Sequence, residues 1–476
     1  MISGLALILT YSVYFLMYKE TPDITNIKIM GVFALLQLVN ICYSWYKVEK
    51  SLVNGYILFV IAFYAFNLGQ PILEAFESVA PSKSILVSFD VRYDQFFEAS
   101  YIGMLFIGMM HLGALISIKR NVVAIKNDAL QATNMVLSIY RVSIFFLILS
   151  FPFYFYELVN NLQIVFRFGY MALYDNSLNR VPKIVQMVSA YYEPAMMALV
   201  FSSLYLKKNR PYILSIALIT VLLPPLLLGG RSNAGIFIGL FLVIYSLFHK
   251  INLKQLTFIG LGVFATLVLF AYIVQTRTSA INEKQSISST MQEIDNPVSL
   301  TLSEMGWSMT PLCWCLDIYP ERLDYRKGDS FIYSFTTIVP NMGFWKYHPA
   351  KIHSELGEWL MDYKNLTYGP GFSLTAEAYV NFGYLGFLFF LLYGYIIAKV
   401  YRYTNKRYIN VNPFLLIASL IFLWFTIKTV RNSFLGTVRA LFYYTLPMYL
   451  LFKYYHSCLL KSPETSMNKG VGVSDF

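Results

Sequence analysis

Apolar runs of membrane-spanning length follow one another along almost the whole chain, and this pattern closes off most folds open to 476 residues. A spanning helix needs about 20 mostly apolar residues. The runs are Ile2–Met17, Ile29–Tyr46, Leu52–Leu73, Phe96–Ile118, Met135–Leu158 and Ile184–Leu206 in the first part. Tyr212–Leu228, Ala234–Phe248, Leu256–Gln275, Ala376–Tyr401, Phe414–Val430 and Ala440–Tyr455 follow. The length rule makes these about twelve spans. Charged residues are 13% of the chain, against about 25% in a soluble domain. The expected fold is all-α, a polytopic integral membrane protein.

The net charge of +11 does not indicate nucleic acid, because the cations fall in short clusters between apolar runs. Lys47 and Lys50, Lys119, Arg120 and Lys126, Lys207, Lys208 and Arg210, Lys250 and Lys254, and Lys399, Arg402, Lys406 and Arg407 occupy every second connection. The positive-inside rule then places both termini in the cytoplasm and the alternate connections outside. The first run lacks a basic flank and a small-residue cleavage site, so it reads as a retained span. Cys42, Cys313, Cys315 and Cys458 read as unpaired thiols: Cys313 and Cys315 are too close for an easy disulfide and lack a second pair for zinc.

One long polar interval interrupts this pattern, so the chain divides into spans within 1–275, a large external loop at 276–375, further spans at 376–455 and a polar tail at 456–476. The loop carries Ser303-Glu304-Met305-Gly306 and His353-Ser354-Glu355-Leu356 and closes at Gly369-Pro370-Gly371-Phe372-Ser373. Its segments Phe331–Val339 and Trp345–Tyr347 are apolar enough to lean on the membrane, and Leu162–Asp175 has the composition of a helix lying in the interface.

Four arginines fall at external ends of spans. Arg231 follows Gly229-Gly230 and precedes Ser232-Asn233, a turn into a helix start that suits an anion. Arg277 lies just past the run ending at Gln275, and Arg431 and Arg439 flank the last external turn. A guanidinium grips phosphate oxygens in a bidentate fork, and four of them suit a diphosphate. Contact with lipid headgroups is the competing reading for each.

Ser373, Glu377 and Asn381 are spaced i, i+4, i+8, a polar stripe on one helix face. A carboxylate at a span edge is costly unless paired or facing a wet cavity, so Glu377 is either a catalytic base or an ion-pair partner. Glu304 and His353 are the other candidates for the base. Glu355 reads as a solvated loop carboxylate. Gly383, Gly386 and Gly394 read as sites of close helix packing.

These stretches resemble the polytopic polymerases of bacterial O-antigen and capsule repeat units, the Wzy type. The likeness rests on Gly229–Gly235, Ser303–Gly306, Gly369–Gly383 with the run to Tyr401, and the long late loop. It implies a GT-C-like membrane glycosyltransferase in the bacterial cytoplasmic membrane. The substrates would be oligosaccharides on undecaprenyl diphosphate, with no cofactor, and the partners membrane lipids, a flippase and a chain-length regulator. An acceptor hydroxyl would attack the anomeric carbon with loss of the lipid diphosphate, which calls for a base and for positive charge at the leaving group. Arginines can neutralise the diphosphate, so no separate metal is demanded. An O-antigen ligase is the rival of similar chemistry. A lipid-oligosaccharide flippase is the rival from another class, but it would place ionisable residues at mid-membrane and show internal repeats.

Overall fold

The computed structural model describes residues 2–79, 81–118, 129–169, 172–173, 181–228, 232–249, 253–276, 296–339, 341, 344–366 and 368–461. Every described element is a helix or a turn, and each apolar run coincides with helix. Local chemistry sets the ends. Asp23 and Asn26 form a reciprocal capping box at the start of Ile24–Glu49, and Lys50 closes that helix in the left-handed conformation. Asn54 caps Gly55–Asn67 through its contact with the Ile57 N–H, and Ser373 caps Leu374–Phe382.

Among the described residues, six helices are long and apolar enough to cross a membrane, or seven if one bent pair counts as a span. That is fewer than the twelve runs. Ile2–Tyr18, Ser232–Phe248 and Pro413–Thr429 hold 17 residues each, a rise of about 26 Å, slightly short of a hydrocarbon core of about 30 Å. The last run is broken by a π-helical stretch, Ala440–Thr445, before Leu446–Lys461.

Two expected elements differ in kind. Leu52–Leu73 is no single span: Gly55–Asn67 and Gly69–Ala75 meet at 72°. Leu68 leaves helical geometry at φ −128°, ψ 7°, and Pro71 supplies no amide hydrogen to continue the ladder. Likewise Leu162–Phe168 is no separate interface helix. It forms the last turns of the 40-residue helix Ala129–Phe168, whose length of about 60 Å carries it well beyond the hydrocarbon core.

Glycines set the closest helix crossings. A Cβ on Gly394 would lie 1.9 Å from the Met110 carbonyl oxygen, and one on Gly113 1.9 Å from that of Leu391. Tyr93–Ser117 and Gly386–Tyr401 therefore pack backbone to backbone, as the sequence leads one to expect for Gly394.

Contacts sort the connections into two ends. At one, Arg407 pairs with the buried Glu49, Asn405 donates to the Glu49 carbonyl at 2.9 Å, and Tyr205 donates to Asn410 at 3.0 Å. This brings the Lys47, Lys207 and Lys406 connections together. At the other end, Lys83 meets Glu304, Arg92 meets Asp317 at 2.9 Å, and Arg439 meets Glu355. The described part of the long loop is thus held at the end opposite the basic connections. It is packed structure rather than a polar tether: Pro297–Gly306 docks into the bend at Gly69, where a Cβ on Gly306 would come within 2.7 Å of the Gln70 nitrogen.

Candidate active site at the loop end of the bundle

The Ser373, Glu377, Asn381 stripe faces the loop and is fully enclosed. Glu377 Oε1 accepts the Ser330 hydroxyl at 2.6 Å, and its Oε2 accepts the Phe434 N–H. Asn381 Nδ2 donates to Ser330 Oγ at 2.8 Å, while its Oδ1 accepts the Gly328 N–H at 3.0 Å. Glu377 therefore spends both oxygens on one residue of the loop helix Asp329–Ser334 and on the turn before Leu435–Arg439. It fixes the loop and the segment bearing Arg439 against the same span. Its contacts are a hydroxyl and an amide, not an arginine.

The other two base candidates have different surroundings. Glu304 is buried, with its Oε1 3.3 Å from Lys83 Nζ. Gln70 donates to the neighbouring Ser303 carbonyl and to the Lys83 carbonyl, both at 2.9 Å. Ser303–Gly306 is thus part of the joint between loop and bent helix pair. His353 Nδ1 lies 2.7 Å from Asp329 Oδ2. A carboxylate accepts only, so Nδ1 carries the hydrogen and Nε2 is the basic nitrogen. The ring stacks on Tyr333 at 4.0 Å and its side chain keeps 35% of its exposure. Ser330 and Asp329 are neighbours, so one short loop helix contacts both Glu377 and His353.

Arg439 lies at a cleft of about 530 Å³ lined by Lys183, His348, Lys351, Glu355, Glu358 and Arg439. Small-molecule sites run to about 300–1,000 Å³. Arg439 Nη2 donates to Glu355 Oε1 at 3.2 Å, and its Nε donates to Thr337 Oγ1 at 3.3 Å. Lys351 stands 3.7 Å from Glu358. Lys183 has no carboxylate within ion-pair distance among the described residues. Both ring nitrogens of His348 are committed, one to the Val339 carbonyl at 3.0 Å and one to the Ala350 N–H at 3.2 Å. The cleft thus holds three cations and two carboxylates, Lys183 and Arg439 at helix ends and Lys351, Glu355 and Glu358 on the loop. Such a lining can bind an anion while offering a carboxylate as proton acceptor.

Arg431 is exposed, with its guanidinium 5.6 Å from the Phe66 ring centre. Arg231 and Arg277 lie outside the described residues. Of the cleft residues, neither Lys183 nor Lys351 stands out in the sequence, and Glu355, which reads there as a solvated loop carboxylate, here pairs with Arg439. Lys351 lies in the helix Pro349–Ser354 and Glu355 just beyond its end, and the Arg439–Glu355 pair joins positions 84 apart and leaves no local trace. No group of three or more His, Cys, Asp or Glu suited to a metal occurs among the described residues. Burial pushes the Cys315 thiol up to about 12, and that of Cys313 is raised by the same cause.

One comparison gives a match. Neither a curated protein nor a solved structure matches the chain. The family model of the O-antigen polysaccharide polymerase Wzy matches residues 1–461, nearly the whole length. The all-helical fold of the described residues, with its long apolar helices, is consistent with a polytopic membrane protein. The chain belongs to the O-antigen polysaccharide polymerase Wzy family, whose members polymerise the repeat units of O-antigen.

Proposed function

We propose that the chain is a GT-C-like glycosyltransferase of about twelve spans that polymerises undecaprenyl-diphosphate-linked repeat units on the outer face of the cytoplasmic membrane. Both termini face the cytoplasm in this reading, and the loop end of the bundle faces out, because the Lys and Arg clusters gather at the opposite end. A flippase delivers the units, and a chain-length regulator limits the product, O-antigen or capsule. Ligation to a different acceptor and lipid flipping fit the family match less well.

The observation that carries the reading is the cleft where Lys183, at the start of Lys183–Ser189, and Arg439, at the end of Leu435–Arg439, meet Lys351 and Glu355 of the loop. A lipid-linked diphosphate lies at this depth, because its chain stays in the membrane. Arg439, Lys183 and Lys351 neutralise it, with Arg231, Arg277 and Arg431 as further ligands. The acceptor hydroxyl oxygen attacks the anomeric carbon, the bond from that carbon to the phosphate oxygen breaks, and the diphosphate leaves with the electron pair. The hydroxyl proton passes to Glu355, which Arg439 releases as it turns to the diphosphate. Glu377, Asn381 and Ser373 act as positioning residues, holding the loop helices and the Arg439 segment in register.

A second reading takes His353 as the base, favoured by its 2.7 Å contact with Asp329 and its partly exposed ring. The two separate in a purified assay. Loss of a general base costs roughly 10²–10⁴-fold in turnover. With Glu355 as base, Glu355→Gln shows that loss with lipid-linked substrate still bound, and His353→Ala keeps most activity. The reverse pattern assigns the base to His353. Full activity in both variants would remove the cleft from the reaction.

A further inference from the structure

The charged cleft sits above a seam between two helical segments, one starting at Lys183 and the other at Arg439. On the first, Lys183 and Met187 are four apart in the helix Lys183–Ser189 and lie on one face, and Tyr191 follows in the turn before Tyr192–Leu206. On the second, Arg439 and Tyr443 are also four apart. The segments touch at one level. The Tyr191 hydroxyl donates to the Tyr443 carbonyl, and the Tyr191 ring meets Tyr444 edge-on at 5.1 Å. The Tyr443 hydroxyl donates to the Thr337 carbonyl, tying the seam to the loop that roofs the cleft.

Between the cations and this aromatic bar, the first wall is apolar and open: Met187 is 41% exposed and Ile184 63%. An apolar side chain left open on a membrane helix faces hydrocarbon, whereas Lys183, a turn away, faces the cleft. One helix face thus passes from charge at Lys183 to an exposed apolar side chain at Met187 over four residues.

We propose that this face is the portal for the apolar chain of the lipid-linked substrate. The diphosphate would rest among Lys183, Lys351 and Arg439 while the polyprenyl chain crosses Met187 and leaves into the bilayer beside Tyr191 and Tyr443. The proposal rests on the reading of the cleft as the diphosphate site, and it adds the direction from which the substrate enters. It makes Met187 a positioning residue that the chain contacts and the diphosphate does not.

The test uses the full chain in nanodiscs and two probes, undecaprenyl diphosphate and inorganic diphosphate. Met187→Trp narrows the portal while keeping an apolar side chain toward lipid. Ile148→Trp, at a residue 71% exposed on the long Ala129–Phe168 helix, controls for the substitution itself. Thermal melting confirms that both variants are folded. The expected result is a Kd for undecaprenyl diphosphate raised about tenfold in Met187→Trp, equivalent to about 1.4 kcal/mol, with inorganic diphosphate and the control unchanged. Equal weakening of both probes would overturn the portal, since Met187 would then act on the charged lining. Unchanged binding of both would overturn it as well. Failure of the wild-type chain to bind either probe would instead withdraw the diphosphate reading, and the portal with it.

Discussion

At the scale of single residues, the structure separates enclosed polar groups from partly exposed ones. Glu377 has every mark of importance in the sequence, a carboxylate at a span edge on a polar stripe, yet it is enclosed and both its oxygens are occupied. Glu377→Ala strands the Ser330 hydroxyl and the Phe434 N–H, at about 1–3 kcal/mol for each buried group left unpaired. A clear fall in melting temperature, together with lost activity, is the expected outcome. A variant with unchanged melting temperature and abolished turnover would restore Glu377 as the base. At Arg439, loss of a charge-assisted contact worth about 3 kcal/mol slows turnover roughly a hundredfold. Arg439→Lys should recover little, because it keeps the charge but not the fork that reaches Glu355 and Thr337 together. Near wild-type rates in Arg439→Lys would show that charge alone suffices.

At the scale of elements, the Gly113 and Gly394 contact is the sharpest constraint. A methyl group at either position has nowhere to go against a backbone carbonyl 1.9 Å away. Gly394→Ala should therefore force apart Tyr93–Ser117 and Gly386–Tyr401, with overpacking costing about 1–3 kcal/mol. Melting of the purified variant measures this, and an unchanged midpoint would mean that the pair relaxes freely. The long helices were legible in the sequence because an apolar run needs no partner to be recognised. The docking of Gly306 against the bend at Leu68 was not, because it joins Gln70 to a residue more than 200 positions away. The loop helices were legible only as apolar patches. Asp329–Ser334 and Pro349–Ser354 have six residues each, too few for helical periodicity to stand out. Part of the site was readable for the same reason. The stripe of Ser373, Glu377 and Asn381 is local, but its partners Ser330 and Phe434 are not.

At the scale of the whole molecule, the two ends of the bundle differ in charge and in chemistry. Glu49, Asn405 and Arg407 lock the basic connections at one end, and the loop and cleft occupy the other. If that asymmetry follows the positive-inside rule, a single cysteine at Lys327 reacts with an impermeant maleimide in spheroplasts, and one at Lys208 or Lys406 does not. All three positions are exposed. Cys313 and Cys315 should stay silent, since both are buried and burial pushes the Cys315 thiol up to about 12. Labelling at Lys406 in place of Lys327 would invert the molecule.

The central claim is that the cleft at Arg439 joins repeat units by glycosyl transfer with loss of the lipid diphosphate. Its most direct test is the purified chain in nanodiscs, fed with repeat units on undecaprenyl diphosphate, with saccharide length and released diphosphate lipid measured together. The account predicts a ladder of products with one lipid diphosphate released per linkage, and loss of both in Arg439→Ala at unchanged protein level. A full ladder in Arg439→Ala, or products that lengthen without release of lipid diphosphate, would contradict it.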